Sequence, residues 1–249
     1  MIKTESISKT FWDQKGGEIK AVLPISLEVH PGEVFGLLGP NGAGKTTFLR
    51  MLATVISPTA GTAAINGFDL LTQPDDIKKS IGFLSGNTKL YGRLSPRELL
   101  DYFGQLYDMI PRQIKLRCQE IYNLLDMNDF ADQRIESLST GQTQKTSIAR
   151  CILHDPPVYI LDEPTLGLDI LTSRTIIRFI RDSTKTGKTV IFSTHYMEEA
   201  ELLCHRIGLI NQGKILDIDN LKGYQQKSGK SHLADIFLDY VSNARGIKL

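Results

Sequence analysis

Residues Gly39-Pro40-Asn41-Gly42-Ala43-Gly44-Lys45-Thr46, with Thr47 directly after them, fit the pattern G-x-x-x-x-G-K-[ST]. Glycines in this pattern let backbone N–H groups wrap a polyphosphate, and a helix that begins at the loop presents its positive dipole end to it. The apolar run VFGLL at 34–38 predicts a buried strand before the loop. Lys45 supplies a cation to the β- and γ-phosphates, and the Thr46 hydroxyl is suited to hold Mg²⁺.

Two further apolar runs end in chemically reactive residues. VYIL at 158–161 leads into Asp162-Glu163, and VIF at 190–192 leads into Ser193-Thr194-His195. Continuous apolar runs are typical of strands covered on both faces of an α/β sheet, where ligands bind at the carboxyl ends of the strands. Asp162 can reach Mg²⁺ through a water, and Glu163 can orient or deprotonate an attacking water, although adjacent acids also begin solvated loops. We expect three neighbouring strands aimed at one ligand.

The region between the first and second runs has the pattern of helices. Ser95-Pro96-Arg97-Glu98 is a capping box with proline at the first helical position, and it predicts a helix through about Tyr107. Two further helices are expected, from Arg112 to about Leu125 and over about 143–153. We therefore expect a helical subdomain over about 86–153, inserted in an α/β core over about 1–85 and 154–217.

The segment Leu138-Ser139-Thr140-Gly141-Gln142 lies just before the third of these helices. Ser139 and the N–H groups near Gly141 would form a second anion-binding helix end. A helix cap alone also explains a serine and a glycine here. The position of the segment, shortly upstream of Asp162-Glu163, favours a role in ligand binding.

The two ends of the chain carry weaker signals. Short β-like segments are expected around 19–29, and Asn211-Gln212-Gly213-Lys214 predicts a hairpin between 207–210 and 215–218. The tail, about 218–249, is polar apart from a short apolar stretch at 233–241 that is consistent with a helix. Its position and composition favour a surface appendage.

Composition excludes several classes of protein. The 249 residues include 29 Lys+Arg and 28 Asp+Glu, a net charge of +1, so there is no electrostatic signature of nucleic-acid binding. Cys118, Cys151 and Cys204 have no spacing typical of a zinc site or a disulfide framework, which suits a reducing compartment. No signal peptide and no run of about 20 apolar residues is visible, so any action on a membrane is expected to require a partner.

Together the segments resemble those of ABC-transporter ATPase subunits, from about Ile7 to Asp217 and in the order of that family. GPNGAGKTT resembles Walker A, LSTGQ the signature, VYILDEP Walker B, GLD with Asp169 the D-loop, and STHYMEEA with His195 the switch. More narrowly, LSGNTKLYGRLSPRELLDYFGQLY and LSTGQTQKTSIARCILHDPP look like the sodium-exporting (NatA-type) branch, with drug, lipid and peptide exporters close in pattern.

The resemblance implies a P-loop NTPase of the ABC type, an α/β fold with an N-terminal antiparallel β segment. It implies an ATPase at the cytoplasmic face of the membrane, working with transmembrane permease subunits and a second ATPase subunit in a homo- or heterodimer. ATP and Mg²⁺ would lie between Walker A of one subunit and the signature of the other. By this resemblance Lys45, Glu163 and His195 are catalytic, and Thr46 and Asp162 hold the metal. The implied nucleotide-binding residues are Phe11, Gly39, Pro40, Asn41, Gly42, Ala43, Gly44, Lys45, Thr46, Thr47, Ser139, Gly141, Gln142, Asp162 and Asp169.

Two positions depart from the family pattern. Gly86 stands where the family usually has a glutamine that helps hold the metal and senses the membrane partner, although Asn87 could substitute for it. Thr140 stands where glycine is commoner in the signature. For the aromatic side chain expected on adenine, Phe11 matches best, with Trp12 beside it; packing of Phe11 under the N-terminal β segment is the alternative.

Three functions remain to be distinguished. The first is an ATPase that energises transport through separately encoded membrane subunits, for which Leu90, Tyr91 and Leu94 are candidate contacts unless they pack in the core of the insert. The second is an ABC-type ATPase of chromosome maintenance or translation, against which the balanced charge argues. The third is a regulatory module that binds ATP without turnover, favoured only by Gly86.

Overall fold

The computed structural model describes residues 1–86 and 89–245. Its strands are β1 (Ile2–Trp12), β2 (Glu18–Ile25), β3 (Glu28–Val29), β4 (Val34–Leu38), β5 (Ala60–Ile65), β6 (Phe68–Asp69), β7 (Ile81–Leu84), β8 (Val158–Asp162), β9 (Thr189–Thr194), β10 (Arg206–Asn211) and β11 (Lys214–Asp219). Its helices are α1 (Lys45–Leu52), α2 (Pro74–Ser80), α3 (Pro96–Leu106), α4 (Pro111–Leu125), α5 (Thr140–Ile152), α6 (Ile170–Lys185), α7 (Met197–Leu203), α8 (Leu221–Ser228) and α9 (Leu233–Arg245). None of these helices combines the length and the apolar character needed to cross a membrane.

The central sheet has the strand order β11-β10-β4-β9-β8-β7. All of its pairings are parallel except that of the hairpin β10–β11. Every residue of β4, β8 and β9 is buried, because helices cover one face and α1 with the N-terminal sheet covers the other. The three strands that end in reactive residues are direct neighbours, which confirms that expectation.

The N-terminal sheet is antiparallel, in the order β2-β1-β5-β6, with β3 paired to β1. Its longest strand, β1, was not predicted from the sequence. The strand buries Ile2, Thr4 and Ile7 and leaves most of its other residues exposed, and its register shifts near Ser6, where φ is 47°. Because the bulge interrupts the alternation of buried and exposed residues, the segment reads as polar.

The helical region lies between β7 and β8. Ser95 caps α3 through the expected capping box: its side chain accepts from the Glu98 N–H, and its own N–H donates to the Glu98 side chain. Helix α4 begins at Pro111, one residue before the expected start, and α5 begins at Thr140, three residues before. Helix α5 starts early because Ser139 is itself the N-cap residue.

The hairpin is confirmed, with Gln212 and Gly213 both at positive φ in its turn. The expectation that the tail is a surface appendage is wrong. Tyr224 of α8 and Leu233, Ile236 and Phe237 of α9 are buried in a common core cluster that also contains Leu38, the last residue of β4. The apolar faces of these short helices cover β10 and α7. The sequence of the tail does not reveal this packing, because the residues it contacts are far away in the chain.

Candidate functional site

The loop between β4 and α1 has the shape that its glycines predict. Gly42 and Gly44 have φ of 79° and 101°, and a Cβ on Gly44 would lie 2.5 Å from the Ala21 carbonyl oxygen. An L side chain there would be strained and would also clash with backbone, so glycine is required. The loop lines a cavity of about 500 Å³ together with Glu163, the start of β2 and the turn of the C-terminal hairpin.

Lys45 is buried beneath this loop, with 4% of its surface exposed. Its ammonium donates to the carbonyl oxygens of Gly39, at 2.6 Å, and Pro40, at 3.1 Å. It also lies 3.4 Å from Glu163 Oε1. The cation is therefore held at the cavity wall by the loop itself and faces a carboxylate.

Asp162 is buried at the end of β8 and receives two hydroxyl groups. Ser193 Oγ donates to Asp162 Oδ1 at 2.7 Å, and Thr46 Oγ1 donates to the same oxygen at 3.1 Å. Ser193 was not predicted to be part of the site, although its position at the end of an apolar run is visible in the sequence. Hydroxyl and carboxylate oxygens are the ligands that Mg²⁺ prefers, so Thr46 and Asp162 fit this cation.

Glu163 has a backbone conformation that is uncommon for its residue type, with φ of 48°. Its N–H donates to Ser193 Oγ at 3.0 Å and to the Ser193 carbonyl oxygen at 3.2 Å, which holds the turn in place. The carboxylate Oε1 lies 3.4 Å from Lys45 Nζ and 3.3 Å from His195 Nδ1. The three residues expected to be catalytic therefore meet at one carboxylate oxygen.

The contact between His195 and Glu163 is close without being an aligned hydrogen bond. His195 Nδ1 is buried, and within the described residues it has no hydrogen-bond partner with suitable angles. The ring packs against that of Tyr196, with centroids 4.2 Å apart. Packing and the adjacent backbone therefore set the orientation of the imidazole.

Phe11 is on the same face of the N-terminal sheet as a residue of the cavity wall. It is paired across the antiparallel ladder with Ile19, which lines the cavity, and directly paired residues project from the same face of a sheet. The residue is 40% exposed, and the ammonium of Lys9 lies 5.3 Å from the centroid of its ring. Trp12 is more exposed still and is paired with Glu18.

The signature residues lie at a different place. Ser139 and Gln142 are joined in a reciprocal cap at the start of α5: the Gln142 N–H donates to Ser139 Oγ at 3.2 Å, and the Ser139 N–H donates to Gln142 Oε1 at 2.9 Å. Asp169 caps α6, and its hydrogen bond from the Thr172 N–H holds the pKa of this carboxyl below its usual range. Within the described residues, none of these side chains lines the loop cavity.

Gly86 follows β7, beside the end of β8. A Cβ on Gly86 would have only the Asp162 carbonyl oxygen, at 3.8 Å, within 4 Å in the described part of the chain. A side chain therefore fits at this position. Asn87, the suggested substitute for the missing glutamine, lies outside the described residues.

The family model described as ABC transporter matches residues 22–166. The ABC transporter ATP-binding protein NatA of Bacillus subtilis (strain 168) is 39% identical over 99% of this chain and 100% of its own length. The linearmycin resistance ATP-binding protein LnrL of the same organism is 34% identical over 88% of this chain and 68% of its own length.

Solved structures have the same fold. A dimeric post-hydrolysis structure of the ATP-binding cassette MJ0796, bound to ADP and Pi, has a TM-score of 0.82 with 26% identity, over 89% of this chain and 99% of that one. The ATP-binding subunit of an ABC transporter gives a TM-score of 0.87 at 23% identity, over 97% of this chain and 99% of that one. The chain thus belongs to the ABC transporter family, as an ATP-binding subunit. It is an ABC-type ATPase that resembles NatA over its whole length.

Proposed function

We propose that this subunit hydrolyses ATP at its loop cavity to drive export through separate membrane subunits. The observation that carries the proposal is that Lys45 and Glu163 line the cavity and that His195 reaches the same carboxylate: Glu163 Oε1 is 3.4 Å from Lys45 Nζ and 3.3 Å from His195 Nδ1. Attack of water on a terminal phosphate is assisted by a base for the water and by groups that interact with the phosphate. Here a carboxylate, an ammonium and an imidazole lie together.

Each residue has a role that its position supports. The backbone N–H groups of 41–47 wrap the phosphates, and Lys45 exchanges its two loop carbonyl partners for β- and γ-phosphate oxygens. Thr46 and Asp162 would hold Mg²⁺, and the ion would supply positive charge that neutralises the phosphates. Glu163 orients and deprotonates the attacking water, and His195 contacts the γ-phosphate. Phe11 stacks on the adenine.

This magnesium site would draw most of its ligands from phosphate and water. Among residues 1–86 and 89–245, no cluster of three or more His, Cys, Asp or Glu side chains could hold a metal by itself. One hydroxyl and one carboxylate therefore suit an ion that arrives with ATP, since Mg²⁺ usually keeps several waters and binds phosphate oxygens.

The position of the signature supports a working dimer. Ser139, Gly141, Gln142 and Asp169 lie outside the loop cavity of their own chain, so we propose that they complete the cavity of a second subunit. The dimeric form of the MJ0796 cassette supports this arrangement. ATP would then favour the closed dimer because it contacts both subunits, and hydrolysis would remove the bridging γ-phosphate.

We propose that the membrane subunit docks beside β7 and α3. A groove there, of about 350 Å³, is lined by Val55, Phe83 and Tyr107 among others, and Val55 is 57% exposed. Of the candidates from sequence, Tyr91 is exposed, whereas Leu90 and Leu94 are half-buried. The cargo would be Na⁺, by resemblance to NatA, or a drug, lipid or peptide, as the name of the linearmycin resistance protein suggests for that relative.

Two substitutions test the ATPase assignment, because they separate binding from turnover. Glu163→Gln keeps the shape of the site and removes the base, so we expect ATP to bind while steady-state hydrolysis stops. Lys45→Ala removes the cation that pairs with the phosphates, so we expect nucleotide binding to be lost. Near-wild-type ATPase in Glu163→Gln, or an unchanged Kd for ATP in Lys45→Ala, would refute the corresponding role.

The alternative functions give different outcomes in the same assay. ATPase stimulated by DNA or RNA would favour the nucleic-acid class, and ATP binding with zero turnover in the wild type would favour a regulatory module. Stimulation on reconstitution with a membrane subunit, encoded by an adjacent reading frame with about six apolar spans, would support transport.

A further inference from the structure

The turn that carries His195 is held by a buried hydroxyl group on the preceding residue. Thr194, the last residue of β9, is 2% exposed. Its Oγ1 accepts a hydrogen bond from the Tyr196 N–H at 3.0 Å. This bond joins the residues immediately before and after His195. The ring of Tyr196 in turn packs on the imidazole. His195 therefore lies between a residue that supplies a buried hydroxyl and a residue whose ring packs on the imidazole.

A glutamate on the next helix sets the direction of the Thr194 hydroxyl. Thr194 Oγ1 donates its single proton to Glu199 Oε2 at 3.0 Å. A hydroxyl has one proton and two lone pairs, so donation to a carboxylate leaves a lone pair free for the Tyr196 N–H. A hydrogen bond to an ionised acceptor is also stronger than one between neutral groups. Glu199 thus fixes the rotamer of the hydroxyl that holds the turn.

Helix α7, which carries Glu199, is itself anchored. Ala200 and Leu203 are buried, and Glu201 Oε1 accepts from the Leu233 N–H at the start of α9 at 2.6 Å. The C-terminal helices therefore hold α7 against the core. Glu199 reaches Thr194 from a fixed support, as a positioning group requires.

We infer that Glu199 is a positioning residue for His195, acting through Thr194 and Tyr196 without touching the nucleotide. The inference rests on the proposed role of His195 at the γ-phosphate. It does not follow from the resemblance to Walker A, the signature or the switch histidine, because it depends on the contacts around Thr194.

The first test compares variants of neighbouring glutamates. Glu199→Ala removes the acceptor, and we expect kcat for ATP hydrolysis to fall about tenfold while KM for ATP changes less than twofold, since ground-state binding is intact. Glu199→Gln keeps an oxygen acceptor and should stay within about threefold of wild type. Glu198→Ala, at an exposed position on the same helix, is the matched control and should leave kcat unchanged.

A double-mutant cycle with His195→Ala separates positioning from stability. If Glu199 acts only through the histidine, Glu199→Ala should lower kcat in wild type and have no further effect when His195 is already alanine. The same tenfold loss in both backgrounds would overturn the inference. Wild-type kcat in His195→Ala alone would instead refute the proposed role of His195, while a large effect of His195→Ala with none of Glu199→Ala would refute only the positioning role.

Discussion

Ser193 Oγ donates a 2.7 Å hydrogen bond to Asp162 Oδ1 and accepts one of 3.0 Å from the Glu163 N–H. One buried hydroxyl on β9 therefore contacts both acidic residues at the end of β8. Since Ser193 has no exposed surface, water cannot easily replace it. The serine sets the direction of the carboxylate proposed to hold Mg²⁺ and the backbone of the proposed general base.

Replacing this serine should impair chemistry more than binding. In Ser193→Ala, Asp162 loses a donor and the strained turn at Glu163 keeps only the carbonyl partner, so we expect kcat to fall by about ten- to a hundredfold. Half-maximal ATPase should also require more Mg²⁺. Binding of ATP measured in EDTA should be unchanged. Ser183→Ala is the control, because among the described residues its buried hydroxyl donates only to the Phe179 carbonyl oxygen within α6, and it should cost about 1 kcal/mol of stability with wild-type kcat.

A glutamine at position 86 should strengthen the metal site. The open space around Gly86 admits a side chain next to Asp162, so we expect Gly86→Gln to fold with an unchanged Tm. A side-chain oxygen near the ion should lower the Mg²⁺ concentration for half-maximal ATPase several-fold. Gly86→Ala controls for the change in backbone freedom and should leave that concentration unaltered. Equal behaviour of the two variants would argue against a metal contact from this loop.

Stability should decrease in mild acid because of His154. Burial lowers the pKa of His154 to about 4, and its ring stacks on that of Tyr107 with centroids 3.8 Å apart. Below about pH 6.5 the unfolded chain binds a proton that the folded protein does not, so the free energy of unfolding falls between about pH 6.5 and 4. Because His154 as a residue is half-buried, we expect a loss of about 1–2 kcal/mol at pH 5.

Urea unfolding at pH 7 and pH 5 measures this loss. His154→Gln can still donate to the Ile81 carbonyl oxygen, which His154 Nε2 approaches at 3.1 Å, and it has no titrating ring. Between pH 7 and pH 5 the free energy of unfolding should fall by about 1–2 kcal/mol less in the variant than in wild type. All other titrating groups contribute equally to both proteins. An identical pH dependence for the two proteins would contradict the prediction.

The C-terminal helices should contribute to global stability. Tyr224 is fully buried, and its hydroxyl donates to the Ile207 carbonyl oxygen at 2.9 Å. Tyr224→Phe should cost about 1–2 kcal/mol and Tyr224→Ala about 3–5 kcal/mol of unfolding free energy. The exposed Tyr91 serves as control, since Tyr91→Phe should change stability by less than about 0.5 kcal/mol. A similarly small effect of the Tyr224 substitutions would contradict a contribution of the C-terminal helices to global stability.

Local pattern predicted much of the fold. The loop at 39–46, the cap at Ser95 and the turn at Gln212-Gly213 were predictable because each depends on a few adjacent residues with special backbone or hydrogen-bonding needs. Strand β1 was missed because its bulge breaks the alternation that identifies a half-buried strand. The burial of α8 and α9 was missed because short amphipathic helices do not show what they pack against.

The positions of Lys45, Asp162, Glu163 and His195 at strand or loop ends follow from the amino-acid sequence alone, since apolar runs stop where polar residues begin. Only the tertiary structure decides that β4, β9 and β8 are neighbours in that order. The pairing places Ser193 opposite Asp162 and brings His195 to Glu163. Strand order depends on contacts between residues far apart in the chain. The energies of these contacts cannot be read from a short segment of sequence. The reactive residues can therefore be recognised from short segments of the sequence. The distances between them are set by the packing of segments that are far apart in the chain.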